Sequence, residues 1–424
     1  MPVAFATLAE WLAYIEGQHT RSIDLSLERV SKVYHALAAQ TSAVVITVGG
    51  TNGKGSTCAM LEAILTAAGY RTGLYTSPHL LHYNERVRLN RSDASDEDLC
   101  AGFAAVERAR GNVPLTYFEY GTLAAWWLFC QHNLDAIILE VGLGGRLDAV
   151  NLFDSDCAIV TGVAMDHMDY LGDTREAIGF EKAGIYRAGK PALCGDPHPP
   201  VTLLEHAQKI GARLLVQGRD YGFKGDKQQW NFIGQAQRRN SLAYPALRGA
   251  NQLMNASTVL MALETLEEHL PVPMQAVRQG LMAVELPGRF QVLPGRPSVV
   301  LDVAHNPQAA GVLAENLASM GFYPETWAVC GMLSDKDIAG SLAHLSARVD
   351  HWLLCDLPGP RGAKAEYLAQ TLLSLAAKGT VECFSSPAQA FGEARKRAGE
   401  GDRIVTFGSF LTVADVMNAA SAAR

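Results

Sequence analysis

The chain has 424 residues, of which 48% are hydrophobic and 19% charged, with a formal charge of -7. Such a length allows two or three domains with ordinary apolar cores. The acidic balance excludes a broad nucleic-acid surface, so an anionic ligand has to be held locally, by a few Lys, Arg, backbone N–H groups or metal ions.

Met1 to Glu16 lacks a basic start followed by an apolar run, because Glu10 and Glu16 interrupt it, so no secretory signal is read there. Ala43-Val44-Val45-Ile46-Thr47-Val48 is a buried-strand candidate, and Gly49 to Ser56 follows as a glycine-rich turn. Met60, Ala63, Ile64 and Ala67 then recur at helical spacing, with Gly69 as the stop. Gly73 to Thr76, Ala136 to Leu139 and Cys157 to Val160 are further strand candidates. The most apolar stretch, Thr122 to Cys130, is about half the ~20 residues needed to cross a bilayer and reads as a core helix. From Val201 to about Arg248 the rhythm breaks, and Tyr221-Gly222-Phe223 and Trp230 to Ile233 suggest a small antiparallel accessory.

Leu286-Pro287-Gly288-Arg289 reads as a domain link, dividing residues 1–288 from residues 289–424. A second alternating set follows, with strands at Val299 to Leu301, Trp327 to Cys330, Trp352 to Leu354 and Ile404 to Phe407. The expected fold class is α/β: a P-loop NTPase-type, mainly parallel sheet domain and a smaller C-terminal Rossmann-like α/β domain, an architecture in which ligands often bind between domains. The eight cysteines form no C-x-x-C pair, and are read as buried reduced thiols of a cytoplasmic protein.

A strand, a glycine-rich turn with lysine and then a helix form a phosphate-binding arrangement, in which backbone N–H groups and the helix N-terminus face phosphate oxygens. Lys54 is placed to reach the terminal phosphates, and Ser56 or Thr57 to hold magnesium. The spacing departs from G-x-x-x-x-G-K-[ST]: Val48 stands where the first glycine belongs, and Gly55 separates Lys54 from Ser56. A turn that merely links strand to helix is the plainer alternative. Ligands of open α/β sheets gather beyond the carboxyl ends of the strands. There the sequence offers Ser77-Pro78-His79, Glu140 and Asp166-His167-Met168-Asp169. Ser77 and Glu140 suit magnesium, whereas His167 suits manganese better. A loop charge at Glu140, a structural histidine at His167 and solvated turn residues at Asp166 and Asp169 are the alternatives.

Taken together these residues resemble the Mur-ligase superfamily, and within it the folylpolyglutamate synthases and the bifunctional bacterial dihydrofolate synthase/folylpolyglutamate synthases. The resemblance is carried by Gly50 to Ser56, Tyr75-Thr76-Ser77-Pro78-His79-Leu80, Glu140 to Asp148, Asp166-His167, Glu181 to Ile185, Leu286 to Phe290, Asp302 to Pro307 and Gly408-Ser409-Phe410. It implies an ATP loop at Thr51, Asn52, Gly53, Lys54, Gly55 and Ser56, and magnesium ligands at Ser77, Glu140 and His167, with Ser56 beside them. It implies a carbamylated lysine at Lys182, which on sequence alone reads as a surface helix lysine. Further ATP contacts fall on Asn255, Arg289 and Asp302, and glutamate-side positions on His305 and Ser409. Asn251 stands where the family often has histidine, which removes any contact that histidine makes. A pterin site is implied at Ser22, Ile23 and Asp24, at Thr116, Tyr117, Phe118 and Glu119, and at Leu147, Asp148 and Ala149. Phe118 offers a flat face to a bicyclic ring, with a core aromatic as the alternative.

The implied activity is an ATP-dependent amide ligase that adds L-glutamate to dihydropteroate and to reduced folates through an acyl phosphate, with one or two Mg2+ per site. Lys54 and Arg289 would offset phosphoryl charge, with Lys182 and His305 completing the catalytic set. The same resemblance implies a cytoplasmic monomer without nucleic-acid or membrane partners. The competing readings are a related ligase on a UDP-muramyl precursor, a P-loop kinase or NTPase that forms no amide, and a non-catalytic nucleotide-binding module.

Overall fold

The structure, a computed structural model, describes residues 5–19, 23–226 and 228–422. The chain divides into two compact units, Met1–Ala246 with Leu253–Val284, and Leu247–Gln252 with Glu285–Arg424.

The first unit is built on eight strands: β1 (Val44–Gly49), β2 (Thr72–Tyr75), β3 (Val87–Leu89), β4 (Ser92–Asp93), β5 (Ala136–Glu140), β6 (Cys157–Val160), β7 (Pro191–Cys194) and β8 (Arg213–Val216). Their spatial order is β4-β3-β2-β5-β1-β6-β7-β8. The pairs from β2 through β8 are parallel, and β3 and β4 extend one edge as antiparallel strands. β1, β5 and β6 are apolar and buried almost throughout, as a sheet covered on both faces requires. Helix Lys54–Ala67 packs closely on helix Met274–Ala283, because a Cβ at Gly280 would stand 2.5 Å from Ile64 Cα. Helix Tyr117–Gln131 holds the apolar stretch expected in the core, and Trp126 stacks on Phe153 at 4.0 Å.

Register fixes where the functional loops leave the sheet. Val48 pairs with Glu140, Gly49 with Val160, and Tyr75 with Leu139, so β1, β2, β5 and β6 end along one rim. The reading of residues 201–248 needs correction. Val201–Ile210 is a helix, and β8 belongs to the main sheet, so the rhythm breaks only after Val216. The strand was missed because it lies on the sheet edge, where its leucines are half-buried and its arginine exposed. The antiparallel accessory is present as β9 (Gly222–Gly225), β10 (Trp230–Ile233) and β11 (Arg238–Leu242), in the order β11-β10-β9.

The second unit is a six-stranded sheet of β12 (Gln291–Leu293), β13 (Ser298–Leu301), β14 (Thr326–Cys330), β15 (His351–Cys355), β16 (Thr380–Phe384) and β17 (Arg403–Phe407). The order is β12-β13-β17-β14-β15-β16, parallel except for β12. The two edge strands, β12 and β16, are those the sequence pattern passed over. All eight cysteines are free, but Cys383 is exposed and Cys100 and Cys130 are half-buried, which corrects the expectation that all are buried. Among the described residues, no helix is long and apolar enough to cross a membrane.

Candidate active site

The glycine-rich turn leaves β1 under tight constraint. Gly50 has φ +138 and Gly53 φ +89, a region that disfavours side chains. A Cβ at Gly50 would stand 2.0 Å from Thr161 Oγ1, and one at Gly53 would stand 2.8 Å from Asn255 Oδ1. The second distance also places Asn255, the expected adenine-side residue, directly against the turn. Lys54 opens the helix Lys54–Ala67, and its ammonium donates to the carbonyls of Gly50 (2.9 Å) and Thr51 (3.2 Å). Gly55 and Ser56 are buried in the first turn, where the positive end of the helix dipole lies. Thr161, at the end of β6, donates its hydroxyl to the Asn52 carbonyl at 2.6 Å. Sequence reading did not single out Thr161, because its role follows from the sheet order, which puts β6 beside β1.

The expected cation ligands lie on adjacent strand ends. Glu140 ends β5, is 4% exposed, and accepts from the Ser77 N–H at 3.3 Å. Asp166 accepts from the His167 N–H at 2.9 Å, and His167 itself takes φ +52. Lys182 is 4% exposed on helix Arg175–Ala183, so it is no surface lysine. Burial lowers its pKa to about 7, the Lys54 charge pushes the same way, and Asp166 and Asp148 oppose both. The charges of Lys54, Asp166 and Asp148 therefore all act on one buried amine. Burial raises the Cys58 thiol well above its ordinary range, with the Glu140 charge adding to the rise and the Lys54 charge opposing it. Among the described residues no three His, Cys, Asp or Glu side chains form a self-contained metal cage. The donor set here is a hydroxyl, a carboxylate and an imidazole beside a phosphate-type loop, which fits a divalent cation that completes its shell with phosphate and water oxygens.

Around the expected pterin segment the side chains do structural work. Ser22 lies outside the described residues. Ile23 and Asp24 are half-buried, and Arg29 joins Asp24 (3.1 Å) to Glu119 (2.8 Å). Thr116 and Glu119 form the capping box of helix Tyr117–Gln131, which leaves Tyr117 and Phe118 presented from its first turn. Arg86 lies over the Tyr117 ring, and Phe118 packs 6.0 Å from Tyr75. A Cβ at Gly142 would stand 2.6 Å from Phe118 Cζ, so this glycine lets the ring lie against the loop after β5. Asp148 shapes that loop from inside: its carboxylate accepts from the N–H groups of Leu143 (2.8 Å) and Val150 (3.0 Å), and burial raises its pKa to about 6. Ala149 is buried and Leu147 half-buried.

In the second unit, the Arg289 guanidinium lies 5.2 Å from the Phe410 ring centre, and His305 approaches the same ring at 6.2 Å. Asp302 accepts from the N–H groups of Phe290 (2.9 Å) and Ala304 (2.8 Å), and burial raises its pKa against the opposing Arg289 charge. Ser409 is buried and its hydroxyl accepts from the Leu411 N–H at 3.2 Å. His305 Nδ1 lies 2.8 Å from the Val303 carbonyl, which only accepts, so the proton of that bond sits on Nδ1.

A phosphate-type loop, the expected cation ligands on neighbouring strand ends and a second α/β unit are the parts of a Mur-type ligase. The Mur ligase middle domain matches residues 48–229, and the Mur ligase, glutamate ligase domain matches residues 288–410. The dihydrofolate synthase/folylpolyglutamate synthase of Escherichia coli K12 is 47% identical over 424 residues, covering 100% of this chain and 98% of that protein. The structure of E. coli FolC in complex with DHPP and ADP superposes with a TM-score of 0.95 at 46% identity, over 100% of both chains. A bifunctional folylpolyglutamate synthase/dihydrofolate synthase with Mn, AMPPNP and L-glutamate bound has a TM-score of 0.92 at 46% identity, over 99% of this chain and 100% of that one. This chain belongs to the family of bifunctional dihydrofolate synthase/folylpolyglutamate synthases.

Proposed function

We propose that this protein joins L-glutamate to the carboxylate of dihydropteroate, forming dihydrofolate, and to reduced folates, forming folylpolyglutamates, with ATP converted to ADP and phosphate. The observation that carries the reading is the rim of the first sheet, where the turn bearing Lys54 leaves β1 beside the ends of β5 and β6 and Ser77 donates to Glu140, with the buried Lys182 under the charges of Lys54, Asp166 and Asp148.

A carboxylate resists attack by an amine because its oxygen is a poor leaving group. ATP cures this: the carboxylate oxygen attacks the γ-phosphorus, ADP leaves, and an acyl phosphate forms. Asn52, Gly53, Lys54, Gly55 and Ser56 hold the triphosphate, and Lys54 and Arg289 offset charge on the transferred phosphoryl oxygens. Ser77, Glu140 and His167, with Ser56 and a carbamylated Lys182 beside them, would hold Mg2+, which neutralises phosphate charge. An amine whose pKa is lowered to about 7 has a substantial neutral fraction near pH 7, and only the neutral amine takes up CO2 to become a carbamate. Phe118 gives the pterin a flat face, with Tyr117, Ile23 and Asp24 nearby. The neutral amine of glutamate then attacks the acyl carbon and phosphate departs. His305, with its proton held at Nδ1 by the Val303 carbonyl, offers Nε2 as the acceptor for the amine proton. Ser409 completes this side through the Leu411 N–H it accepts from, while Asp302, which fixes the backbone at Phe290 and Ala304, serves the ATP side. The same reading makes residues 1–288 the ATP and pterin part and residues 289–424 the glutamate part of a cytoplasmic monomer.

The test is ADP release by the full chain with glutamate and either dihydropteroate, tetrahydrofolate or a UDP-muramyl acceptor. Release that needs both glutamate and a pterin acceptor is expected. Release with the muramyl acceptor alone, or without glutamate, would sink the proposal.

A further inference from the structure

One side chain joins the ATP loop to the loop carrying Asp166 and His167. Thr51 Oγ1 donates to the Ala164 carbonyl at 3.1 Å and accepts from the Ala164 N–H at 3.0 Å. The Thr51 N–H donates to the Gly162 carbonyl at 2.8 Å. A hydroxyl that both donates to and accepts from the two backbone groups of one residue makes a two-point clasp. Serine can reproduce it. Valine, of nearly the same shape, reproduces none of it.

The clasp matters because Ala164 leads directly into an expected cation ligand. His167 stands three residues on, in a left-handed conformation at φ +52 that non-glycine residues adopt only when their surroundings impose it. Its apolar neighbours contribute little burial: Met165 is 37%, Met168 49% and Tyr170 48% exposed. The segment before it is pinned from two sides instead. Asp196 accepts from the Val163 N–H at 3.2 Å, and Arg175 donates to the Val163 carbonyl at 2.9 Å while pairing with Asp196. Facing them, the ATP loop pins the neighbouring residues through Thr51 at Ala164 and through Thr161 at Asn52.

We propose that Thr51 is a positioning residue that ties the placement of His167 to the ATP loop, rather than a direct phosphate contact. Its N–H and hydroxyl are both engaged with the chain after β6, so loss of the hydroxyl acts on cation binding through the 162–168 loop. The inference rests on the reading of His167 as a cation ligand, and the controls separate the two.

The experiment uses the full chain as parent, Thr51→Val, Thr51→Ser and His167→Ala. Mn2+ binding in saturating AMPPNP is followed by electron paramagnetic resonance, AMPPNP affinity is measured without metal, and backbone exchange is followed over residues 162–168. Thr51→Val is expected to weaken Mn2+ binding about ten-fold, as loss of one or two hydrogen bonds implies. It should speed exchange at Ala164 and leave metal-free AMPPNP affinity within about two-fold of the parent. Thr51→Ser should restore both. If Thr51→Val does not fold, Thr51→Ala carries the same expectations, since it also lacks the hydroxyl. The inference is overturned if Thr51→Val binds Mn2+ like the parent while His167→Ala does not, or if metal-free AMPPNP affinity falls as far as Mn2+ affinity. Unchanged Mn2+ binding in His167→Ala would overturn it together with the cation-site reading.

Discussion

Lys182→Met should make the protein more stable and less active, and the gain should depend on pH in a defined way. Methionine matches lysine in length and fills the same buried space without a charge. Burial and the neighbouring Lys54 bring the Lys182 pKa from 10.5 to about 7. A gap of about 3.5 pH units corresponds to about 5 kcal/mol between the two protonation states. Below pH 7 the folded protein must hold a charged, buried ammonium, so the full penalty is present. Between pH 7 and 10.5 the unfolded chain binds a proton that the folded chain does not, so stability rises with pH by about 1.4 kcal/mol per unit. Above 10.5 both states are neutral and the slope vanishes. In CO2-free buffer with EDTA, urea unfolding of both proteins at pH 6, 7, 8 and 9 should show the variant ahead by several kcal/mol at pH 6. That lead should shrink by about 3 kcal/mol between pH 7 and 9. Bicarbonate should then raise the melting temperature of the parent and not of the variant. A lead that does not change with pH, or a variant less stable at pH 6, would refute the assignment of a neutral amine at this position.

Gly50→Ala places a Cβ 2.0 Å from Thr161 Oγ1 at φ +138, so urea unfolding should show a loss of about 2–4 kcal/mol, and nucleotide affinity should fall with it. Glu140→Gln keeps the shape but removes the charge at the end of β5. Mn2+ titration of activity should show at least about a hundred-fold weaker half-saturation, with melting temperature little changed. Phe118→Ala should raise KM for dihydropteroate about three- to ten-fold, the worth of one aromatic stack, and Phe118→Tyr should restore it in steady-state assays. Arg29→Met leaves the buried Glu119 without its partner, so chemical unfolding should show about 2–4 kcal/mol lost, and Glu119→Gln in the same chain should recover part of it.

Much of the site was legible because backbone constraints write themselves into sequence. Gly50 and Gly53 are glycines because the turn after β1 needs positive φ and has no room for side chains, so the phosphate loop showed despite its departure from the usual spacing. The buried strands β1, β2, β5, β6, β13, β14, β15 and β17 were readable as apolar runs, whereas the edge strands β3, β4, β8, β12 and β16 carry mixed residues and passed unseen, as did the short buried β7, which opens on Pro191. Features that depend on a neighbour distant in sequence were not legible. Lys182 reads as a surface residue until helix Arg175–Ala183 is seen to turn it inward, and although the Thr116-x-x-Glu119 spacing signals a helix cap, nothing in the sequence shows that the same carboxylate binds Arg29. Likewise, a threonine in a phosphate loop suggests a phosphate contact, and only the pairing of β1 with β6 brings Ala164 to its hydroxyl.

The claim on which the rest depends is that the acceptor carboxylate takes the γ-phosphoryl of ATP before glutamate attacks. Dihydropteroate labelled with 18O in its carboxylate, turned over with ATP and glutamate, reports this directly by mass spectrometry of the released phosphate. One labelled oxygen per phosphate is the outcome expected of an acyl phosphate. Unlabelled phosphate, or label recovered in AMP, would contradict it.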